Sequence, residues 1–143
     1  MTPGKLIELL HEKGCSLVLE DKQGNVRSFY KTGVRDLEYL LDNEPEILKG
    51  AVVADKVVGK AAAGMMAYGG VKEVYAEVLS RKALPLLEDN GIRYSCGKLV
   101  DQIIIPQGDT RCPLEEIVST AVTAGETVMR LRQHFAEMKK LYK

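Results

Sequence analysis

Ala51-Val52-Val53-Ala54-Asp55-Lys56-Val57-Val58-Gly59-Lys60-Ala61-Ala62-Ala63-Gly64 is the stretch whose reading decides the fold. Its first four residues read as a short buried extended run, released from the preceding segment by Gly50. A helix is then expected to begin at Asp55, whose carboxylate suits an N-cap, and to run to about Tyr68 before Gly69-Gly70 stops it. A buried strand followed by a helix is the building unit of α/β proteins, and the unpaired N–H groups at such a helix start are a common ligand position.

The helix interior carries Gly59, Ala61, Ala62, Ala63, Gly64 and Ala67. Gly costs about 1 kcal/mol against Ala inside a helix. Two of them therefore point to neighbours that approach closely, as expected of a central helix wedged against a sheet. Lys56 and Lys60 are four apart and would share one side of the helix, where they and the N-terminal dipole can hold an anion. Asp55 can equally pair with either lysine. The segment from Ala54 to Ala61 has Gly59-Lys60 but lacks a first Gly and the Ser or Thr of a phosphate loop, so nucleotide hydrolysis through that motif is excluded.

Upstream, Leu6, Ile7, Leu9 and Leu10 give a helical face that Gly14 can close. Cys15 to Glu20 and Val26 to Lys31 read as two strands joined by the turn residues Asp21 to Asn25, a hairpin. A helix is expected from about Val34 to Leu41, broken at Asn43-Glu44-Pro45, with one more turn at Ile47-Leu48. Downstream, Val71 to Leu79 alternates as a strand and Arg81 to Asp89 reads as a short helix whose Pro85 kinks it or delays its start. Ile92 to Cys96 and Gln102 to Ile105 are further strands.

Pro113 opens the last helical region, which divides near Thr123-Ala124-Gly125-Glu126, where Thr123 and Glu126 have capping-box spacing. Residues 125–143 form a C-terminal amphipathic helix striped by Val128, Leu131, Phe135, Met138 and Leu141. That stripe packs on its own domain or, in a homo-oligomer, against a partner. The 143 residues are read as one three-layer α/β/α domain with a mixed central sheet.

Twenty basic and twenty acidic residues cancel, which removes the footprint of a general nucleic-acid binder. No apolar run is long enough for a membrane span and no signal-peptide layout opens the chain. Cys15, Cys96 and Cys112 are too few and too scattered for a disulfide framework, so a cytoplasmic protein is expected.

A second candidate site is Arg111-Cys112-Pro113-Leu114-Glu115-Glu116. Cys112 takes the N-cap position and Pro113 the first helical one, while Glu115 can accept from the free N–H groups. A thiol there beside Arg111 has a reason to ionise, opposed by the two glutamates, and is either an inert cap or a reactive group. His11 and His134 stand alone, and no Cys-x-x-Cys or His-Glu-x-x-His spacing occurs, so no metal is expected.

At Ala54-Asp55-Lys56-Val57-Val58-Gly59-Lys60-Ala61-Ala62 and at Cys112-Pro113-Leu114-Glu115 the chain resembles domain-of-unknown-function family 1893, an uncharacterised prokaryotic family of the cytidine-deaminase-like superfamily. The resemblance covers nearly the whole chain. It implies a cytidine-deaminase-like fold, in which zinc deaminases bind metal between two helix starts, one carrying His/Cys-x-Glu and the next Pro-Cys-x-x-Cys. Here those positions fall at Ala54-Asp55-Lys56 and near Leu79-Ser80-Arg81-Lys82-Ala83, which supply none of these groups. The resemblance thus implies the fold without zinc or another cofactor.

The cleft would instead present Asp55, Lys56 and Lys60, with Ser80 and Arg81 at the second helix start and Cys112 and Glu115 from the later loop. Such a set suits a small anionic or nucleotide-like ligand. The alternatives are a metal-independent enzyme using Lys56, Lys60 or a Cys112 thiolate, and a non-catalytic structural or interaction protein.

Overall fold

The computed structural model describes residues 3–31, 34–105, 110–111 and 113–141. Helix α1 (Pro3–Lys13) leads into the hairpin β1 (Leu17–Glu20) and β2 (Val26–Phe29), then α2 (Arg35–Asn43) and the single turn α3 (Pro45–Leu48). The Asp21 turn closes as expected, with the carboxylate accepting from the N–H groups of Gln23 at 2.9 Å and Asn25 at 3.0 Å.

The decisive stretch departs from its expected form. Strand β3 runs Val52–Val58, through Asp55 and Lys56, and helix α4 begins only at Lys60 and ends at Gly69. Parallel pairing with β4 (Glu73–Ser80) extends to Val57↔Val78 and Val58↔Leu79. The β-branched pair Val57-Val58 favours that extension, and its ladder bonds outweigh the capping tendency of Asp55. Asp55 is therefore no helix cap, and Lys56 and Lys60 do not share a helix side.

After β4, a 3-10 turn at Arg81–Ala83 precedes α5 (Leu84–Asp89), a late start that places Pro85 in the first turn, where its missing N–H is harmless. β5 (Arg93–Val100) is longer than expected, and the following strand shrinks to β6 (Ile104–Ile105), paired with β7 (Thr110–Arg111). The last helices are α6 (Pro113–Ile117) and α7 (Ala124–Leu141), the second begun by Thr123 Oγ1 accepting from the Glu126 N–H at 3.1 Å.

The main sheet has the order β2-β1-β3-β4-β5 and is mixed: β1 is antiparallel to β2 and β3, while β3, β4 and β5 are parallel. Alternation along the strands divides the core. Val18 and Ala54 meet Leu6, Leu10 and Cys15 under α1 on one face. Leu17, Leu19, Val53 and Val74 belong to the larger core under α2, α4, α5 and α7 on the other. The sheet thus carries helices on both faces.

The small residues of α4 have the close neighbours expected of them. Ala61 to Met66 are all buried, and a Cβ built on Gly64 would stand 2.3 Å from Thr127 Cγ2 of α7. A helix apolar on every side is stable only when surrounded. Gly70 ends it in the left-handed conformation at φ 82°, open to glycine at little cost. On α7, Val128 and Leu131 are buried and Phe135 packs against the same core, so this part of the stripe serves its own fold, whereas Met138 is exposed.

Candidate functional site

The C-terminal half of β3 delivers Asp55, Lys56 and Val57 to a cavity of about 270 Å³. Gly59, Ala61 and Ala62 at the start of α4 form one wall, Leu114 and Glu115 of α6 another, and Ser16, Val34 and Ile103 complete the lining. The surface is mostly apolar, which makes its carboxylates conspicuous.

Asp55 is only 7% exposed. Among the described residues its side chain accepts a long hydrogen bond from the Val57 N–H, 3.4 Å to Oδ1, and the Lys56 N–H also acts on the carboxyl. Loss of water raises its carboxyl from 3.8 to about 7, and the charge of Asp36 on α2 adds to the rise. The backbone N–H groups of Val57 and Lys56 oppose it incompletely. Asp36 is itself buried and accepts from the Lys31 N–H at 3.0 Å. Near neutral pH, Asp55 therefore exists in both protonation states and can accept or donate a hydrogen bond.

Glu115 has a different task from capping its own helix. Its Oε1 accepts from the Lys60 N–H at 2.6 Å and its Oε2 from the Ala61 N–H at 2.9 Å. The carboxylate, 8% exposed, thus caps α4 across the fold and supplies the negative charge favoured at a helix start. Gly59, the N-cap residue, offers no side chain of its own and leaves the space that Glu115 fills. The anion position at this helix start is occupied by the chain itself.

Lys60 extends away from the Asp55 cavity, its Nζ donating to the Ser119 carbonyl at 3.0 Å. Partial burial, and then the nearby Arg130, lower its pKa, with Glu115 opposing. Lys60, Lys82, Gln102, Glu115 and Ser119 enclose a recess of only about 30 Å³.

Ser80 and Arg81 do not line the Asp55 cavity. Ser80 is fully buried, and its hydroxyl accepts from the Lys82 N–H at 3.1 Å and donates to the Asp101 carbonyl at 3.5 Å. Arg81 pairs with Asp101 on the surface, Nε to Oδ1 at 3.1 Å. Cys112 lies outside the described residues.

Of the expected set, the cavity therefore unites Asp55, Lys56 and Glu115, with Lys60 behind Glu115. Sequence reasoning missed Ser16, Val34, Val57, Gly59, Ala61, Ala62, Ile103 and Leu114 as lining residues. The Val57-Val58-Gly59 succession carried the available signal, since two β-branched residues before a Gly mark a strand end. Among the described residues, no group of three or more His, Cys, Asp or Glu side chains is placed to hold a metal ion. His11 instead pairs with Glu77, and the ring of His134 lies tilted against that of Phe135. No helix among the described residues is long and apolar enough to cross a membrane.

Residues 5–135 match the family described as TM1506: Domain of unknown function (DUF1893). The chain is also similar to a crystal structure of a DUF1893 family protein (TM1506) from Thermotoga maritima, with a TM-score of 0.82 and 23% identity. That match covers 94% of this chain and 92% of the other, and at such identity it shows the fold alone. No curated protein matches the chain.

Proposed function

Because the chain belongs to the DUF1893 family, a domain of unknown function, we propose its role from the Asp55 cavity: it binds a small planar molecule with apolar faces and N–H donors along one edge, as nucleobases have. The observation that carries this reading is Asp55 itself, a nine-tenths-buried carboxyl that, among the described residues, meets only the backbone N–H groups of Val57, at a long 3.4 Å, and Lys56, in an otherwise mostly apolar lining. Buried polar groups are normally satisfied, and a partner bearing N–H groups would satisfy this one. The volume is close to the lower end of ligand pockets, roughly 300–1,000 Å³. An anionic ligand is less well served, because Glu115 already holds the N–H groups of Lys60 and Ala61.

A cytidine-deaminase-like fold is part of the same proposal, supported by a mixed sheet with helices on both faces. The zinc of that superfamily does not fit the described residues: Asp55 and Lys56 stand at the first motif position and Ser80 is committed to Lys82 and Asp101.

The test is a two-dimensional NMR titration with adenine and with cytosine. Saturable shifts at the amides of Asp55, Val57, Gly59 and Leu114, lost in Asp55→Asn, are the expected result. Absence of shifts at those amides with both probes at millimolar concentration would overturn the reading.

A second reading rests on the carboxyl pKa near 7, which suits a general acid–base. It gives Asp55 that role in preference to Lys60, whose amine is engaged by Ser119.

A further inference from the structure

β5 is an eight-residue parallel strand at the edge of the sheet, and six of its eight residues are exposed. Parallel strands are ordinarily covered on both faces. The opposite edge, β2, has only four residues, all at least partly buried. Tyr94 at 39% and Leu99 at 37% exposure add apolar surface to a row of backbone donors and acceptors that no strand among the described residues pairs with, the usual template for another strand.

We infer that β5 pairs antiparallel with β5 of a second copy of this chain, about a two-fold axis at Gly97. An axis through a residue matches inward with inward and outward with outward positions, as strand alternation requires. Centring on Gly97 sets Tyr94 opposite Val100 of the second copy, Ser95 opposite Leu99, and Cys96 opposite Lys98. It also sets Arg93 opposite Asp101, just past the strand end, and symmetry makes that pair twice. Tyr94 and Val100 form an aromatic–β-branched pair of the kind that stabilises sheets.

Neighbouring registers lose this complementarity. Centring on Lys98 opposes two lysines, and centring on Cys96 sets Arg93 against Leu99 and Tyr94 against Lys98. Gly97 also suits the axis. A Cβ there would already meet Glu77 O at 3.0 Å and Tyr75 Oη at 3.1 Å, so no side chain occupies the axial position. Asp101, whose side chain is 94% exposed beside Arg81, is accessible to a second arginine.

Sedimentation velocity on the full chain from about 5 to 500 µM tests the pairing, with the expected result a reversible monomer–dimer equilibrium. Arg93→Asp turns two attractions into repulsions and is expected to weaken the dimer at least roughly tenfold, with an unchanged circular dichroism spectrum. Arg93→Asp with Asp101→Arg is expected to restore it to within about threefold. Ser95→Cys with Leu99→Cys, treated with copper phenanthroline as oxidant, is expected to form a disulfide between copies, mapped by mass spectrometry to positions 95 and 99. A monomer at every concentration would overturn the inference, as would a dimer indifferent to Arg93→Asp, for example one built on the exposed side of α7. These outcomes are independent of the titration that tests the Asp55 cavity.

Discussion

Gly59 and Glu115 are fitted to each other across 56 positions of the chain: a Cβ on Gly59 would stand 2.4 Å from Glu115 Oε1. The φ of Gly59, −101°, is open to any residue, so the requirement for glycine is spatial. An L side chain there would push the carboxylate off the N–H groups of Lys60 and Ala61. Gly59→Ala is expected to destabilise the fold by about 2–4 kcal/mol, measured by urea denaturation. A loss below about 0.5 kcal/mol would show that Glu115 moves aside without cost.

Glu115→Ala removes the cap while leaving space. The expected loss is about 1–3 kcal/mol, the range for uncovering helix-start donors bonded to a charged group. Glu115→Gln keeps one carbonyl acceptor and is expected to lose less. Amide hydrogen exchange locates the effect: faster exchange at Lys60 and Ala61, with little change in α1, is the expected pattern.

Asp55 gives the protein a pH dependence with a definite sign. Its folded-state pKa is raised from 3.8 to about 7, so between these values the folded state binds more protons than the unfolded state. Stability contributed by the protonated form is complete below about pH 4 and falls as pH rises towards 7. The shift corresponds to at most about 4 kcal/mol across that window. Urea denaturation from pH 4 to 8 should show the decline, superposed on the other carboxyls, and Asp55→Asn should reduce it and be the more stable protein at pH 8. Identical pH profiles for both proteins would show that Asp55 titrates normally.

Asp36 sharpens that prediction, because its charge is one of the causes raising Asp55. Asp36→Asn is expected to move the Asp55 titration, followed by carboxyl carbon NMR, to lower pH. It also weakens the contact to the Lys31 N–H, so a modest loss of stability, about 1 kcal/mol, accompanies the shift.

Gly64 and Thr127 hold α4 and α7 together. Gly64→Ala drives a methyl towards Thr127 Cγ2 and Cβ, which would be 2.3 and 2.7 Å away, and is expected to cost about 1–3 kcal/mol. Thr127→Ser removes Cγ2 but keeps the hydroxyl that donates to the Thr123 carbonyl at 2.9 Å. The double variant should recover part of the loss, and strictly additive effects in a denaturation cycle would contradict the contact.

Much of the scaffold was legible in local chemistry. Gly14, the Asp21–Asn25 turn, Gly50, Gly69-Gly70 and Thr123 mark boundaries that the structure keeps, because each acts on its own backbone within a few residues. The site was legible only in part. Asp55 reads as a cap if the capping tendency of Asp is considered alone, yet ladder pairing with Leu17 and Ala76 carries it into the middle of the sheet. The same pairing separates Lys56 from the helix start and leaves Gly59 as the turning point. Ser80 and Arg81 read as the start of the helix after β4; Ser80 instead ends the strand and Arg81 opens a 3-10 turn, and their partners, Lys82 and Asp101, turn them away from the cavity.

The sequence by itself determined the alternation of strands and helices, the small-residue character of α4 and the capped start of α7, since periodicity and turn chemistry depend on near neighbours. Tertiary structure decided where β3 ends, which carboxylate caps α4 and which one is left buried in the cavity. Those outcomes depend on residues brought together from distant parts of the chain. The pairing of β3 with β4 fixes the first, the approach of α6 the second, and the exclusion of water around Asp55 the third.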